Sequence, residues 1–137
     1  MAGKNTAVQL MFAGCSSICP VQGAIFAAVQ AELGPAADPT LQLLSLSVDA
    51  LGDDAAALAF WLRRFAAGPG WRAAALEPGD LAAFQALLDA SASASAGHST
   101  AVYFFDASAS LVWRTNDLPG AREVAATLRL VHLLAPR

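Results

Sequence analysis

The sequence predicts an α/β protein with a mixed central sheet and helices on both of its faces. Three observations carry that prediction. Short apolar segments alternate with stretches of helical periodicity along the first two-thirds of the chain. Two strand-like segments then follow in close succession, and an amphipathic segment ends the chain. The only two cysteines, Cys15 and Cys19, stand where the first strand gives way to the first helix.

Residues 6–12 read as a buried strand, short and apolar and bounded by Gly3 and Gly14. Pro20 suits the first turn of a helix, where its missing N–H is no loss. Val21, Ile25, Ala28 and Val29 are expected on the inner face of that helix, which should end near Gly34-Pro35. Residues 41–48 form a second buried strand. Asp53 or Asp54 then caps a helix whose Leu58, Trp61, Leu62 and Phe65 recur at helical spacing. Gly68-Pro69-Gly70 breaks it, and residues 71–76 suit a short edge strand. Asp80 is expected to cap a third helix with Leu81, Phe84 and Leu88 inward. Residues 91–97 are a low-complexity stretch of small residues that reads as a loop. Residues 101–105 and 111–115 form a hairpin, and Pro119-Gly120 precedes a last helix with Val124, Leu128 and Val131 inward. The order β-α-β-α-β-α-β-β-α is the thioredoxin-like arrangement, in one domain over residues 1–137.

With 137 residues, the chain can bury a core without disulfides or a structural metal. Charged residues make up 14% and the formal net charge is −3, which offers no basic surface for nucleic acid. No segment reaches the roughly 18 uninterrupted apolar residues of a membrane span. No secretory signal is expected either, because the first core strand begins almost at Met1.

Cysteines four residues apart can clamp one metal ion or close a disulfide. His98 precedes the strand at residues 101–105. If that strand lies beside the first, two thiolates and one imidazole come together, a set that suits copper better than any hard cation. Zinc with a bound water would fit the same three ligands. At a helix N-terminus, unpaired N–H groups and the macrodipole favour thiolate near neutral pH. Asp49 ends the second strand, where it either orients a ligand or caps the following helix. His132 reads as a surface or helix-end residue, Met11 as core, and Arg63 and Arg64 as a solvated helix face. Trp61, Trp71 and Trp113 read as packing residues, with Trp71 or Trp113 also able to meet a partner.

Phe12-Ala13-Gly14-Cys15-Ser16-Ser17-Ile18-Cys19-Pro20 resembles the cysteine motif of the SCO/SenC family of copper-binding, thioredoxin-like proteins. Leu46-Ser47-Val48-Asp49, followed by Asp53 and Asp54, is similar to that family's strand ending in an aspartate. The segment from His98 through Asp106 resembles its metal-binding histidine and the strand after it. The chain departs from the family at Ala50, where a proline is usual. The family's membrane anchor or signal and the β-hairpin ahead of its first core strand are expected to be absent.

The resemblance implies a copper chaperone of the periplasm, or one membrane-associated and facing it. Cys15, Cys19 and His98 would bind Cu(I) or Cu(II) for the copper centre of cytochrome c oxidase or another cuproprotein. It implies a carrier and not an enzyme. The competing function is a thiol–disulfide oxidoreductase with Cys15 and Cys19 as its redox pair. Against it stand the C-x-x-x-C spacing and the lack of a proline just before residue 101. A thiol peroxidase would need a lone activated cysteine with threonine and arginine partners that the sequence does not offer. Loss of an N-terminal hairpin would expose a sheet edge and favour self-association.

Overall fold

Asn5–Met11 forms β1, whose seven residues are all buried, so both of its faces must be covered. The computed structural model describes residues 3–11, 19–34, 38–48, 54–90, 100–115 and 118–134. Around β1 are built α1 (Cys19–Leu33), β2 (Leu41–Ser47), α2 (Ala55–Arg64), β3 (Trp71–Ala75), α3 (Pro78–Ala90), β4 (Val102–Phe105), β5 (Leu111–Arg114) and α4 (Ala121–Leu134). The five strands lie in the order β3-β2-β1-β4-β5. β1 pairs parallel with β2 (Met11 opposite Ser47) and antiparallel with β4 (Gln9 opposite Val102).

Two successive parallel crossovers in the same direction across the sheet place α1 and α2 on one face. There α1 meets α4, and Phe26, Val29, Leu43, Trp71, Phe104, Val124 and Leu128 make the larger core. The other face holds Val8, Leu10, Leu46, Tyr103 and Phe105, with Phe84 of α3 stacked on Phe105 at 5.9 Å. Helices thus cover both faces, as the sequence predicts.

Asp54 is the N-cap of α2, its Oδ1 accepting from the Ala57 N–H at 2.9 Å. Leu58, Trp61, Leu62 and Phe65 point inward as expected, and Trp61 packs with Met11. Asp80 lies inside the first turn of α3, which starts at Pro78, so it is not the cap. The side chains of Leu81 and Leu88 and the stretch 91–97 lie outside the described residues. The inner face of α1 also differs from expectation. Gln22, Phe26 and Val29 are buried, whereas Val21 is 45% exposed and Ala28 is exposed. In a helix so rich in alanine the apolar count on each face differs little, so the stripe containing phenylalanine, the largest side chain, turns inward even though it carries a glutamine.

Two polar ties fix neighbouring elements, the first buried among the strands and the second at a helix end. Ser45 Oγ accepts from Gln9 Nε2 at 2.6 Å and from the Trp71 indole N–H at 2.9 Å. Gln30 joins α1 to the turn after α2, accepting from the Gly68 N–H at 2.6 Å and donating to the Ala66 carbonyl at 3.1 Å. A third polar cluster joins α4 to the far end of the sheet. His132 lies 3.2 Å from Asp38 through Nε2, while Nδ1 stands 3.1 Å from Asn5 Nδ2 and 3.4 Å from Thr40 Oγ1. His132 is therefore a tie between elements and not simply a helix-end residue. Trp61 and Trp71 are buried as packing residues, which excludes Trp71 from meeting a partner, whereas Trp113 is exposed.

Gly23 sits where a Cβ would lie 2.3 Å from the Phe65 ring, so α1 and the end of α2 approach closely only because that side chain is missing. Gly23→Ala should push Phe65 away. We expect a net loss of about 1–3 kcal/mol from overpacking, despite the better helix propensity of alanine. Urea unfolding checks this, and an unchanged midpoint would contradict the close packing.

Candidate metal centre

The described residues that flank the expected metal ligands in sequence come together at one end of the sheet. β1 ends at Met11 and α1 begins at Cys19, so Cys15 belongs to the connection between them. β2 ends at Ser47, and the Val48 N–H donates to the Met11 carbonyl at 2.8 Å, which holds the two strand ends side by side just before Asp49. β4 runs the opposite way, so its beginning, not its end, reaches the same edge. Val102 pairs with Gln9, and continuing that register brings Thr100 level with Met11, two residues after His98. Cys15, Asp49 and His98 themselves lie outside the described residues, as does the side chain of Cys19.

Local bonds hold this edge in place. Gln22, in the first turn of α1, donates from Nε2 to the Leu10 carbonyl at 3.2 Å and so fixes the helix start against the end of β1. The Val102 N–H donates to Thr115 Oγ1 at 2.9 Å, and the Thr115 N–H donates to the Val102 carbonyl at 3.0 Å, closing the start of β4. Met11 and Trp61 form an apolar layer beneath the edge. Sequence reasoning missed Gln22. Its spacing from Phe26 and Val29, at i+4 and i+7, is the signal that could have placed it inward.

Among the described residues no group of three or more His, Cys, Asp or Glu side chains is arranged to hold a metal ion. His132, the second histidine of the chain, is engaged with Asp38 and Asn5 on the opposite edge, near the starts of β1 and β2.

This layout is that of a thioredoxin-like protein, with its cysteines at the junction of a central strand and the following helix. The chain belongs to the SCO1/SenC family, whose model matches residues 1–132. Solved structures of similar fold include ScoI of Bradyrhizobium japonicum with copper bound, at 20% identity and TM-score 0.71, over 95% of this chain and 86% of that one. A SCO1/SenC family lipoprotein from Bacillus anthracis aligns at 18% identity and TM-score 0.75, over 95% and 82%. BsSco, described as a member of the Sco family of cytochrome c oxidase assembly proteins with a disulfide switch, aligns at 17% and 0.76, over 97% and 82%. No curated protein matches the chain significantly. Among the described residues no helix is long and apolar enough to cross a membrane.

Two carboxylates are held below the ordinary value of 3.8, and both lie away from the end of the sheet at Met11 and Ser47. Asp38 is lowered first by the Thr40 hydroxyl, then by the Thr40 N–H, with His132 adding a smaller pull. Asp106, in the β4–β5 turn, is lowered first by the Ser108 hydroxyl, then by the Ser110 N–H. A carboxylate depressed on folding stabilises the folded state above its unfolded value, and that stability is lost as pH falls through the folded one. The acid limb of unfolding should therefore flatten in Asp38→Asn and Asp106→Asn, below pH 3.8. Carboxyl NMR titration should find both midpoints below that value; ordinary midpoints would contradict the hydrogen bonding.

Proposed function

We propose that this protein is a copper carrier that binds Cu(I) or Cu(II) through Cys15, Cys19 and His98 and passes the ion to a cuproprotein. The acceptor is of the kind represented by the copper-centre subunit of cytochrome c oxidase. The observation that carries the reading is the opposed pairing of β1, parallel to β2 and antiparallel to β4. It supports bringing a histidine that follows a loop to the edge where the cysteine segment begins. Membership of the SCO1/SenC family and the copper bound to the Bradyrhizobium japonicum relative support the choice of metal. The lipoprotein relative supports work at a membrane surface; the periplasmic side of that membrane is part of this proposal.

The donor set fits the task. Two thiolates suit Cu(I), and one added imidazole makes the site acceptable to Cu(II). Three ligands leave one side of the ion open, so an incoming thiolate can displace the carrier's ligands one at a time. Copper here is cargo, and the protein acts as a carrier without turnover of a small substrate. Asp49, where the chain leaves β2, would orient a ligand through a hydrogen bond. Zinc would occupy the same ligands with a water as fourth partner.

A second reading is supported by the disulfide switch described for BsSco. In it, Cys15 and Cys19 reduce a disulfide between the acceptor's cysteines, which takes up two electrons and two protons as the Cys15–Cys19 disulfide forms.

The reduced protein should bind about one Cu(I) per chain, with copper–sulfur scattering dominating its X-ray absorption. A first shell of oxygen and nitrogen alone would rule out the cysteine site.

His98 separates the two readings. Thiol–disulfide exchange needs no imidazole, whereas the three-ligand site does. His98→Ala should bleach the thiolate-to-Cu(II) band and abolish copper delivery to an apo copper-centre domain, while retaining any disulfide-reducing activity. Efficient copper-free reduction of the acceptor by both proteins would instead establish the reductase.

A further inference from the structure

The free edge of the sheet at β5 carries an apolar groove that the copper site does not use. The groove has a volume of about 490 Å³, and its walls come from β5 and α4. Its floor is Val112, Trp113, Leu130 and Leu134, all strongly exposed, and Trp113 is 61% accessible. A β-bulge builds it. Phe104 pairs with Trp113 and Phe105 with Leu111, which leaves Val112 unpaired between them. In a regular strand Val112 and Trp113 would point to opposite faces; the extra residue lets both line the same groove. Two carboxylates complete it, Asp106 and Glu123, and no cationic side chain lines it.

At the opposite edge of the sheet, beside β3, α2 presents the complement. Phe60 is 58% exposed, and Arg63 and Arg64 follow it at i+3 and i+4, on the same side of the helix and both exposed. An exposed aromatic side chain, a knob with the exposed Arg63 and Arg64 one turn further along α2, thus stands near one edge of the molecule; the Arg64 guanidinium lies 5.2 Å from the Phe65 ring. An apolar groove with two carboxylates stands on the other.

We propose that the groove between β5 and α4 receives the Phe60–Arg63–Arg64 face of a second copy of this chain. Phe60 enters against Trp113 and Leu130, and the arginines meet Asp106 and Glu123. The two surfaces lie on opposite edges of a five-stranded sheet, about 19 Å apart at the usual strand spacing. One contact therefore cannot satisfy both surfaces of both copies, and each contact leaves one groove and one knob free. Association runs head to tail and does not stop at a dimer. Exposed charges contribute to it, so it weakens as salt rises.

Sedimentation velocity of the full chain from micromolar to millimolar concentration tests this. The wild type should grow past a dimer at low salt. Phe60→Asp removes the knob and Trp113→Asp the groove; each variant alone should remain monomeric, with an unchanged circular dichroism spectrum. Mixed in equal amounts they retain one intact knob and one intact groove, and should form a one-to-one dimer and nothing larger. Wild type that stays monomeric to millimolar concentration would overturn the proposal. So would association that either substitution leaves intact, or a mixture of the variants that stays monomeric or grows past a dimer. If the monomeric wild type instead shifts its tryptophan fluorescence with an amphipathic leucine–lysine peptide, and Trp113→Asp does not, the groove serves a different basic partner and the self-association is overturned.

Discussion

The meeting of distant segments at one end of the sheet depends on how β1 is paired. A strand with parallel neighbours on both sides would bring only strand ends, and the helix starts that follow them, to one edge of the sheet. Because β4 runs against β1, a strand beginning joins two strand ends there. That single reversal brings residues distant in sequence to one end of the sheet, Met11 beside Ser47 on one side and level with Thr100 on the other. The price is a strand that must be covered on both faces, and all seven residues of β1 are buried.

The coverage is unequal. One face carries α1, α2 and α4 with the larger core, and the other carries α3 with Phe84 against Phe105. On the larger face the polar side chains Gln9 and Ser45 are buried, which is tolerable because Gln9 and the Trp71 indole both donate to the Ser45 hydroxyl. Directionality of this kind fixes register in a way that alanine and leucine cannot. At the end of β1 Gln22 does the same for α1, so the helix that starts at Cys19 is fastened to the strand that precedes it.

Much of this was legible in the sequence. The strands at residues 6–12, 41–48 and 71–76 came within a residue or two of their observed bounds, because short apolar runs between glycine and proline have few other uses. The helix at Leu58, Trp61, Leu62 and Phe65 was legible because large side chains at helical spacing leave no doubt about the inner face. On α1 the alanines gave no such contrast, and the face was misjudged at Val21 and Ala28. Capping at Asp80 failed because Pro78 can itself open a helix. The role of His132 was invisible for a different reason. Its partners Asn5, Thr40 and Asp38 are about a hundred residues away in the chain, and no local pattern announces such a tie. Membership of the family was legible through resemblance more than through periodicity, since C-x-x-x-C by itself fits a disulfide as well as a metal.

The tie between Asn5 and His132 spans nearly the whole chain. The last helix lies against the first, and it closes a core that includes Phe26 and Phe104. A nascent chain therefore has no lid for that face until α4 has left the ribosome, and the earlier elements wait with their apolar surface open. Contacts of such long range also slow the search for the native state. Closure of that face thus waits for synthesis of α4, and a chain stopped short of residue 121 is a natural substrate for chaperones and proteases.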